Sequence, residues 1–226
     1  MLEHLNAQST APSRVVIMGA GGFVGGASAD LFENDGVEVL RLGRSNMDLL
    51  SGDADKALGA ELRAEDVLVV VSAQAPVKDI PMLMNNLTMM TAICSAIEAN
   101  PVRHIVYISS DAIYGDSPQP LTEDSCAQPE SLHGVMHYTR EVMLQTAAGK
   151  TPTAMLRPTL IYGSKDPHNG YGPNRFHRQA ADGKEIVLFG EGEERRDHVF
   201  IDDVAAIVRL AVLHHSVGAL NVATGV

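Results

Sequence analysis

Cysteine is scarce: Cys94 and Cys126 are the only two in 226 residues. Their spacing offers neither a disulfide framework nor a zinc knuckle, which fits a reducing compartment. Basic residues are few as well, since 17 Lys and Arg against 28 Asp and Glu leave a formal charge of −11. That balance excludes a nucleic-acid groove or an anionic membrane as the main partner, because both need clustered cations. A small anionic ligand would need cations placed locally. The longest strongly apolar stretch, residues 67–75, runs to about nine residues, against the roughly 20 that a spanning helix requires, so no membrane segment is expected. Residues 1–13 have no basic flank followed by an apolar run, so they do not read as a signal peptide and are expected to be a frayed tail. The expected setting is the cytoplasm.

What is present is an alternation of short β-branched runs with longer helical stretches, the pattern of parallel strands joined by crossover helices. Strands are predicted at Arg14–Met18, Val37–Leu42, Val67–Ser72, His104–Ser109, Thr153–Arg157 and Leu220–Ala223. Several are apolar without alternation, as strands covered on both faces are. Helices are predicted at Gly22–Asn34, Pro81–Ala99, Ser131–Ala148, Pro173–Asp182 and Asp202–His214. The predicted fold class is α/β, a doubly wound parallel sheet of Rossmann type. Between Tyr162 and Arg196 the composition shifts to Gly, Pro, His, Asn and charged residues, which reads either as ligand-facing loops or as a plain surface excursion.

The first strand runs into Gly19-Ala20-Gly21-Gly22-Phe23-Val24-Gly25. A strand, a glycine turn and a helix in that order let backbone approach a pyrophosphate, with the helix N-terminus supplying amide donors and positive partial charge. At the end of the second strand an acid commonly holds the ribose hydroxyls and favours NAD. No acid stands there. Arg44 and Ser45 are in its place, and a guanidinium offers paired donors to a 2′-phosphate, so the cofactor is expected to be NAD or NADP with a lean to NADP; a solvated loop Arg is the alternative.

Further segments follow in order: Ser109-Ser110-Asp111-Ala112-Ile113-Tyr114-Gly115 after a strand, Arg157-Pro158, Tyr162-Gly163, Phe189-Gly190-Glu191-Gly192, and Arg196-Asp197 through Asp202-Asp203-Val204. With the glycine turn, they resemble the extended short-chain dehydrogenase/reductase family, the sugar-nucleotide epimerases and dehydratases, from about Val15 to the C-terminus. The resemblance implies cofactor contacts from Gly19, Gly22, Phe23, Val24, Gly25, Arg44, Ser45, Asp48, Ala73, Asn86 and His137. It implies substrate contacts from Asp111, Asn174 and Arg196, the last two facing a nucleotide diphosphate, and a Ser110 hydroxyl on the reacting oxygen. Arg196 also has a physical reason, as a fixed cation for a dianion in an acidic protein.

What is lacking at the chemical centre is the family's Tyr and Lys four residues apart on one helix face, where the Tyr is acid and base and the Lys holds the ribose and lowers the Tyr pKa. The matching positions are His133 and His137, in a register supported by Gly134 and Glu141. Tyr138, five residues beyond His133, points away from that face. His133 can exchange protons near neutral pH while His137 holds the ribose. A His-based reaction, a lost or altered activity, and two structural histidines all remain open. The same pair has a zinc-ligand spacing, but Gly134 replaces the Glu base and no third ligand is indicated, so no metal is expected. His214-His215 reads as a structural pair at a helix end. Ala112 stands where the family's 4,6-dehydratases carry a Glu, which counts against that elimination.

The resemblance also implies about 80 further residues beyond the C-terminal stretch, so the substrate region is expected to be small or incomplete. The expected division is a flexible tail at 1–13, a dinucleotide-binding domain from 14–163 and 199–226, and a partial substrate-binding region at 164–198. The expected function is an NAD(P)-dependent epimerase, reductase or dehydratase-like enzyme acting on a nucleotide-linked sugar. The alternative is a non-catalytic dinucleotide or sugar-nucleotide binder. No nucleic acid or membrane partner is expected, and a homodimer through the helices at Pro81–Ala99 and Ser131–Ala148 competes with ordinary packing of those Met-rich faces.

Overall fold

A computed structural model describes every residue except 118, 168–171, 189, 193–194 and 226. Phe189, of the fourth segment above, lies outside the described residues. In chain order the elements are β1 (Glu3–His4), β2 (Arg14–Met18), α1 (Phe23–Asn34), β3 (Glu38–Leu42), α2 (Ala54–Glu61), β4 (Val67–Val70), α3 (Ile80–Ala99), β5 (His104–Ile108), a 3-10 turn (Asp111–Ile113), α4 (Leu132–Ala148), β6 (Thr153–Pro158), β7 (Leu160–Tyr162), α5 (Pro173–Ala181), β8 (His198–Phe200), α6 (Ile201–Leu213) and β9 (Ser216–Val222). The main sheet has the order β1-β9-β6-β5-β4-β2-β3. All of its pairings are parallel except that of β1 with β9.

Every residue of β2, β4 and β5 is buried, as the unalternating apolar runs require of strands covered on both faces. One core layer joins Val16, Met18, Leu68, Val70, Ile105 and Tyr107 to α2, α3 and α4. The other joins Val15, Ile17, Val67, Val69 and Val106 to α1 and α6. From β2 the chain moves outward to β3 and returns past β2 to β4, so the strand order reverses between β2 and β4. A ligand crevice forms beyond the carboxyl ends of strands at such a switch point.

Three departures from the sequence reading have physical causes. The tail expected to fray is pinned: Glu3 and His4 pair with Val217 and Ser216, His4 Nδ1 lies 2.7 Å from Ser216 Oγ, and the amides of Asn6 and Thr10 donate to the carbonyls of His214 and Leu213. The last strand begins at Ser216 rather than Leu220 because Gly218, with φ +93°, admits the Met1 backbone where a Cβ would lie 2.6 Å from the Met1 carbonyl oxygen. Finally, α3 is long and apolar enough to cross a membrane by length and composition, with mean hydropathy 1.3. Its apolarity is explained by burial of Met89, Met90, Ile93, Ala96 and Ile97 in the core.

The start of α4 is fixed by Ser131, whose Oγ accepts from the Gly134 amide at 3.1 Å. A Cβ on Gly134 would lie 2.0 Å from the Ala112 carbonyl oxygen, so only glycine lets α4 seat against the 3-10 turn. An exposed helical Gly→Ala change stabilises by roughly 0.5–1 kcal/mol. Here the sign is expected to reverse: Gly134→Ala should destabilise by about 1–3 kcal/mol through overpacking, read as a lowered urea midpoint.

His104, fully buried, reaches the Ser216 carbonyl through Nε2 at 2.7 Å. Burial pushes its pKa from 6.5 down to about 4, a shift opposed by that hydrogen bond and aided by His215 and Arg103. The unfolded chain therefore binds this proton more readily. Stability is full above about pH 6.5 and falls as pH drops toward 4, by about 3 kcal/mol from this residue. His137 and His215 are shifted the same way. Thermal unfolding between pH 7 and roughly 4 should show a falling Tm, and His104→Leu should make that slope shallower without removing it.

Candidate functional site

The crevice begins at the turn between β2 and α1. Gly19 has φ +94°, and a Cβ there would lie 2.7 Å from the Ser72 amide nitrogen. A Cβ on Gly25 would lie 2.2 Å from the Gly19 carbonyl oxygen, so the turn and the first helical residues close tightly only with glycine at both places. Gly22 is the N-cap of α1, no side chain caps the helix, and no acid sits in its first turn. The amides of Phe23, Val24 and Gly25 open a helix whose positive end is left uncompensated, which suits a pyrophosphate.

At the end of β3, Asn46 closes the loop by accepting from the Gly43 amide at 2.8 Å and donating to the Arg41 carbonyl at 2.9 Å. Arg41 is committed to Glu33 and Asp30 on α1 at 2.6–2.8 Å. Arg44 and Ser45 are exposed, and among the described residues no carboxylate pairs with Arg44. Asp48, also exposed, accepts from the Leu50 amide at 3.0 Å.

Beyond β4 the loop carrying Ala73 is shaped by Asn86, which is completely buried. Its Oδ1 accepts from the Gln74 amide at 2.9 Å, and its Nδ2 donates to the carbonyls of Gln74 and Met82 at 3.0 and 2.8 Å. The polar atoms of Asn86 are thus turned inward, and what this residue contributes to the crevice is the shape of the loop.

On α4, His133 and His137 do share a face: their rings meet edge-on with centroids 4.8 Å apart. Tyr138 is 40% exposed, on another face. His137 Nδ1 lies 3.0 Å from the Tyr107 hydroxyl of β5. Arg140 stands 5.5 Å over the Tyr107 ring and donates to the Ser72 carbonyl at 2.8 Å and to Asn86 Oδ1 at 3.3 Å. Contacts therefore run unbroken from the glycine turn through Ser72, Arg140 and Tyr107 to the histidine pair. Burial holds His137 well below the ordinary histidine range, with His133 and Arg140 pushing it further down. Burial pushes the Tyr107 phenol up to about 12, against the pull of Arg140. Both groups are neutral near pH 7.

Ser110 sits at the N-terminus of the 3-10 turn. Its Oγ accepts from the Ala112 amide at 3.1 Å and donates to Asp111 Oδ1 at 3.3 Å. Burial raises the Asp111 pKa, while Ser110 and the Arg196 charge oppose that shift. Because α4 is pressed onto this turn at Gly134, the helix end that carries His133 adjoins the turn that carries Ser110 and Asp111. The hydroxyls of Ser72 and Ser109, just beyond β4 and β5, are buried without a hydrogen-bond partner among the described residues, as polar groups lining a ligand crevice can be.

On the substrate side the arrangement is looser. Arg196 is half exposed and 3.8 Å from Asp116, with its charge felt at Asp111. Asn174 is occupied within its own loop, accepting from the Gly163 amide at 3.1 Å and donating to Asp166 at 2.9 Å. Arg157 pairs with Glu141 at 2.8–3.0 Å, which accounts for the Glu that set the register of α4.

Sequence reading missed Tyr107 and Arg140. Tyr107 is hidden in an apolar strand, where only the sheet's orientation tells which face a residue takes. Arg140 carried a usable signal, since it follows His137 by three residues and His133 by seven, one stripe of a helix.

A family model described as NAD dependent epimerase/dehydratase family matches residues 15–223. The chain is 30% identical to the UDP-glucose 4-epimerase of Mycolicibacterium smegmatis, over 94% of this chain and 78% of that protein. Among solved structures it is similar to the UDP-glucose 4-epimerase of Thermotoga maritima with UDP-glucose, at a TM-score of 0.81 and 22% identity over 94% of this chain and 77% of that one. It is also similar to the UDP-glucose 4-epimerase of Thermus thermophilus in complex with NAD, at a TM-score of 0.79 and 24% identity over 94% and 78%. The structural likenesses bear on the fold alone. The glycine turn at a switch point and a family match spanning almost the whole described sheet together establish that this chain belongs to the NAD dependent epimerase/dehydratase family.

Proposed function

We propose that this chain is an NAD(P)-dependent epimerase-type enzyme for a nucleotide-linked sugar, in which histidine chemistry replaces the tyrosine and lysine of its relatives. The observation that carries this reading is the edge-on pair His133 and His137, on a helix whose start is seated against the turn that carries Ser110. The M. smegmatis relative is named for action on UDP-glucose, which supports a nucleotide sugar as the substrate class. Residues 14–163 and 199–226 form the dinucleotide-binding part in this reading, and 164–198 a partial substrate-binding region.

The uncapped amides of residues 23–25 and the glycine cradle fit a dinucleotide pyrophosphate. Arg44 and Ser45 are the groups for a 2′-phosphate if NADP is preferred. When bound, the nicotinamide supplies a hydride acceptor or donor. The chain's own work is on the proton: His133 accepts it from the substrate hydroxyl as that carbon is oxidised and returns it on reduction, and Ser110 orients the hydroxyl. Arg196, 3.8 Å from Asp116, supplies a guanidinium for the diphosphate. The site of action in this reading is the cytoplasm, where Cys94 and Cys126 are free thiols. A homodimer over α3 and α4 would cover Met84, Tyr138 and Val142, which are 54%, 40% and 47% exposed.

A second reading, a dinucleotide or sugar-nucleotide binder without turnover, is favoured by the neutrality of buried His137, which supplies no cation where relatives have lysine. The two separate cleanly. Turnover of a UDP-sugar by the native chain, lost by about 10²-fold or more in His133→Ala, supports the enzyme; activity that arises only in the double variant His133→Tyr, His137→Lys supports the binder.

Calorimetric titration with NAD⁺, NADH, NADP⁺ and NADPH should give binding at micromolar level, roughly −8 kcal/mol. If NADP(H) binds more tightly, Arg44→Ala should erase that preference and leave NAD(H) unchanged. Absence of binding to all four removes the redox reading.

A further inference from the structure

The Tyr107 hydroxyl and His137 Nδ1 are 3.0 Å apart, and both are buried. One hydrogen lies between them, and which atom owns it decides the state of His137. Suppose His137 carried the proton on Nδ1. Tyr107 would then accept, and its own O–H would need another acceptor; among the described residues His137 is its only hydrogen-bond partner. A buried hydroxyl hydrogen with no acceptor costs about 1–3 kcal/mol. In the opposite arrangement Tyr107 donates, Nδ1 accepts, and both groups are satisfied.

The surroundings favour the same arrangement. Arg140, wholly buried, stands over the Tyr107 ring and is three residues from His137 on the same helix stripe. A fixed guanidinium so close disfavours a second positive charge on His137. The charged and titratable groups around His137 are Tyr107 from β5 and His133 and Arg140 from α4. Cys94 of α3, whose thiol burial pushes up to about 11, feels Arg140 but supplies no charge. Glu141, the carboxylate next along α4, is turned away to Arg157.

We infer that Tyr107 and Arg140 are positioning residues that hold His137 as the neutral ring with its proton on Nε2, a fixed hydrogen-bond donor. The inference rests on reading the histidine pair as the reactive one, and it divides the labour. His137 presents an unchanging N–H, the function a ribose hydroxyl acceptor requires, and the proton exchange of the proposed reaction falls to His133. The donor is a neutral imidazole, and the nearby cation is a separate, buried side chain that bonds protein carbonyl and amide oxygens.

The test is long-range proton–nitrogen NMR on the full chain labelled with ¹⁵N-histidine, without added dinucleotide, with signals assigned through His133→Gln and His137→Gln. At a pH of roughly 7.5 the expected spectrum for His137 has an unprotonated, hydrogen-bonded Nδ1 and a protonated Nε2, unmoved down to a pH of about 5.5. In Tyr107→Phe, which keeps the ring and its packing, the expected result is a shifted Nδ1 signal and a mixed tautomer. A proton on Nδ1 in the native chain, or a charged His137 near pH 7.5, overturns the inference, as does a Tyr107→Phe spectrum identical to the native one. Should Tyr107→Phe fail to fold, the native tautomer and its pH response decide alone. Because the readout needs no cofactor, it stands or falls separately from the dinucleotide titration that tests the proposed function.

Discussion

Arg140 is the side chain on which the arrangement of the crevice depends. Its guanidinium is completely buried, and no carboxylate among the described residues bonds to it. Burying an ion costs several kcal/mol unless its donors are met. Those of Nη2 and Nη1 are met by the Ser72 carbonyl at the end of β4 and by Asn86 on α3, and the guanidinium stands over the face of Tyr107 on β5, while Nε has no hydrogen-bond partner among the described residues. Each of these partners is thereby fixed in space. Ser72 is the residue against which Gly19 packs, Asn86 sets the loop after β4, and Tyr107 bonds His137. A single cation thus ties three consecutive elements of the sheet layer to the helix that carries the histidines.

The same cation makes electrostatic sense in a chain of net charge −11. The dinucleotide and nucleotide sugar proposed as ligands are both anionic, so a protein rich in carboxylates would have to arrange local positive potential to bind them. The unneutralised N-terminus of α1, Arg44 beyond β3, Arg196 beside the 3-10 turn and Arg140 beneath the histidines provide it at separate points. The other strongly paired arginines serve the scaffold. Arg14 with Asp66 and Arg157 with Glu141 are buried bidentate pairs that lock the start of β2 and the junction of α4 with β6.

Much of the fold was legible because the relevant forces are local. Apolar runs of four to six residues became strands, with glycine or proline close to the ends of β2, β3 and β6. Short α2 escaped notice, as its eight residues carry little periodicity. The pinned tail escaped because polar residues near a terminus look unstructured until the edge of β9 is there to receive them. The parallel pair of β7 with β8, three residues each, escaped for the same reason, since neither segment has an amphipathic pattern of its own.

By itself the sequence determined the order of the main strands and helices, the glycine turn, and the shared face of His133 and His137, because each follows from local spacing. Only the tertiary structure decided that Tyr107 and Arg140 belong to the same site, that Asn86 and Asn174 turn their polar atoms inward, and that His137 is kept neutral. Those facts depend on which strand face meets which helix and on how much water is excluded between them. Neither quantity is written in the spacing of residues along one chain segment; both arise when distant segments pack and the cost of burying a charge must be met by whatever partners the fold brings near.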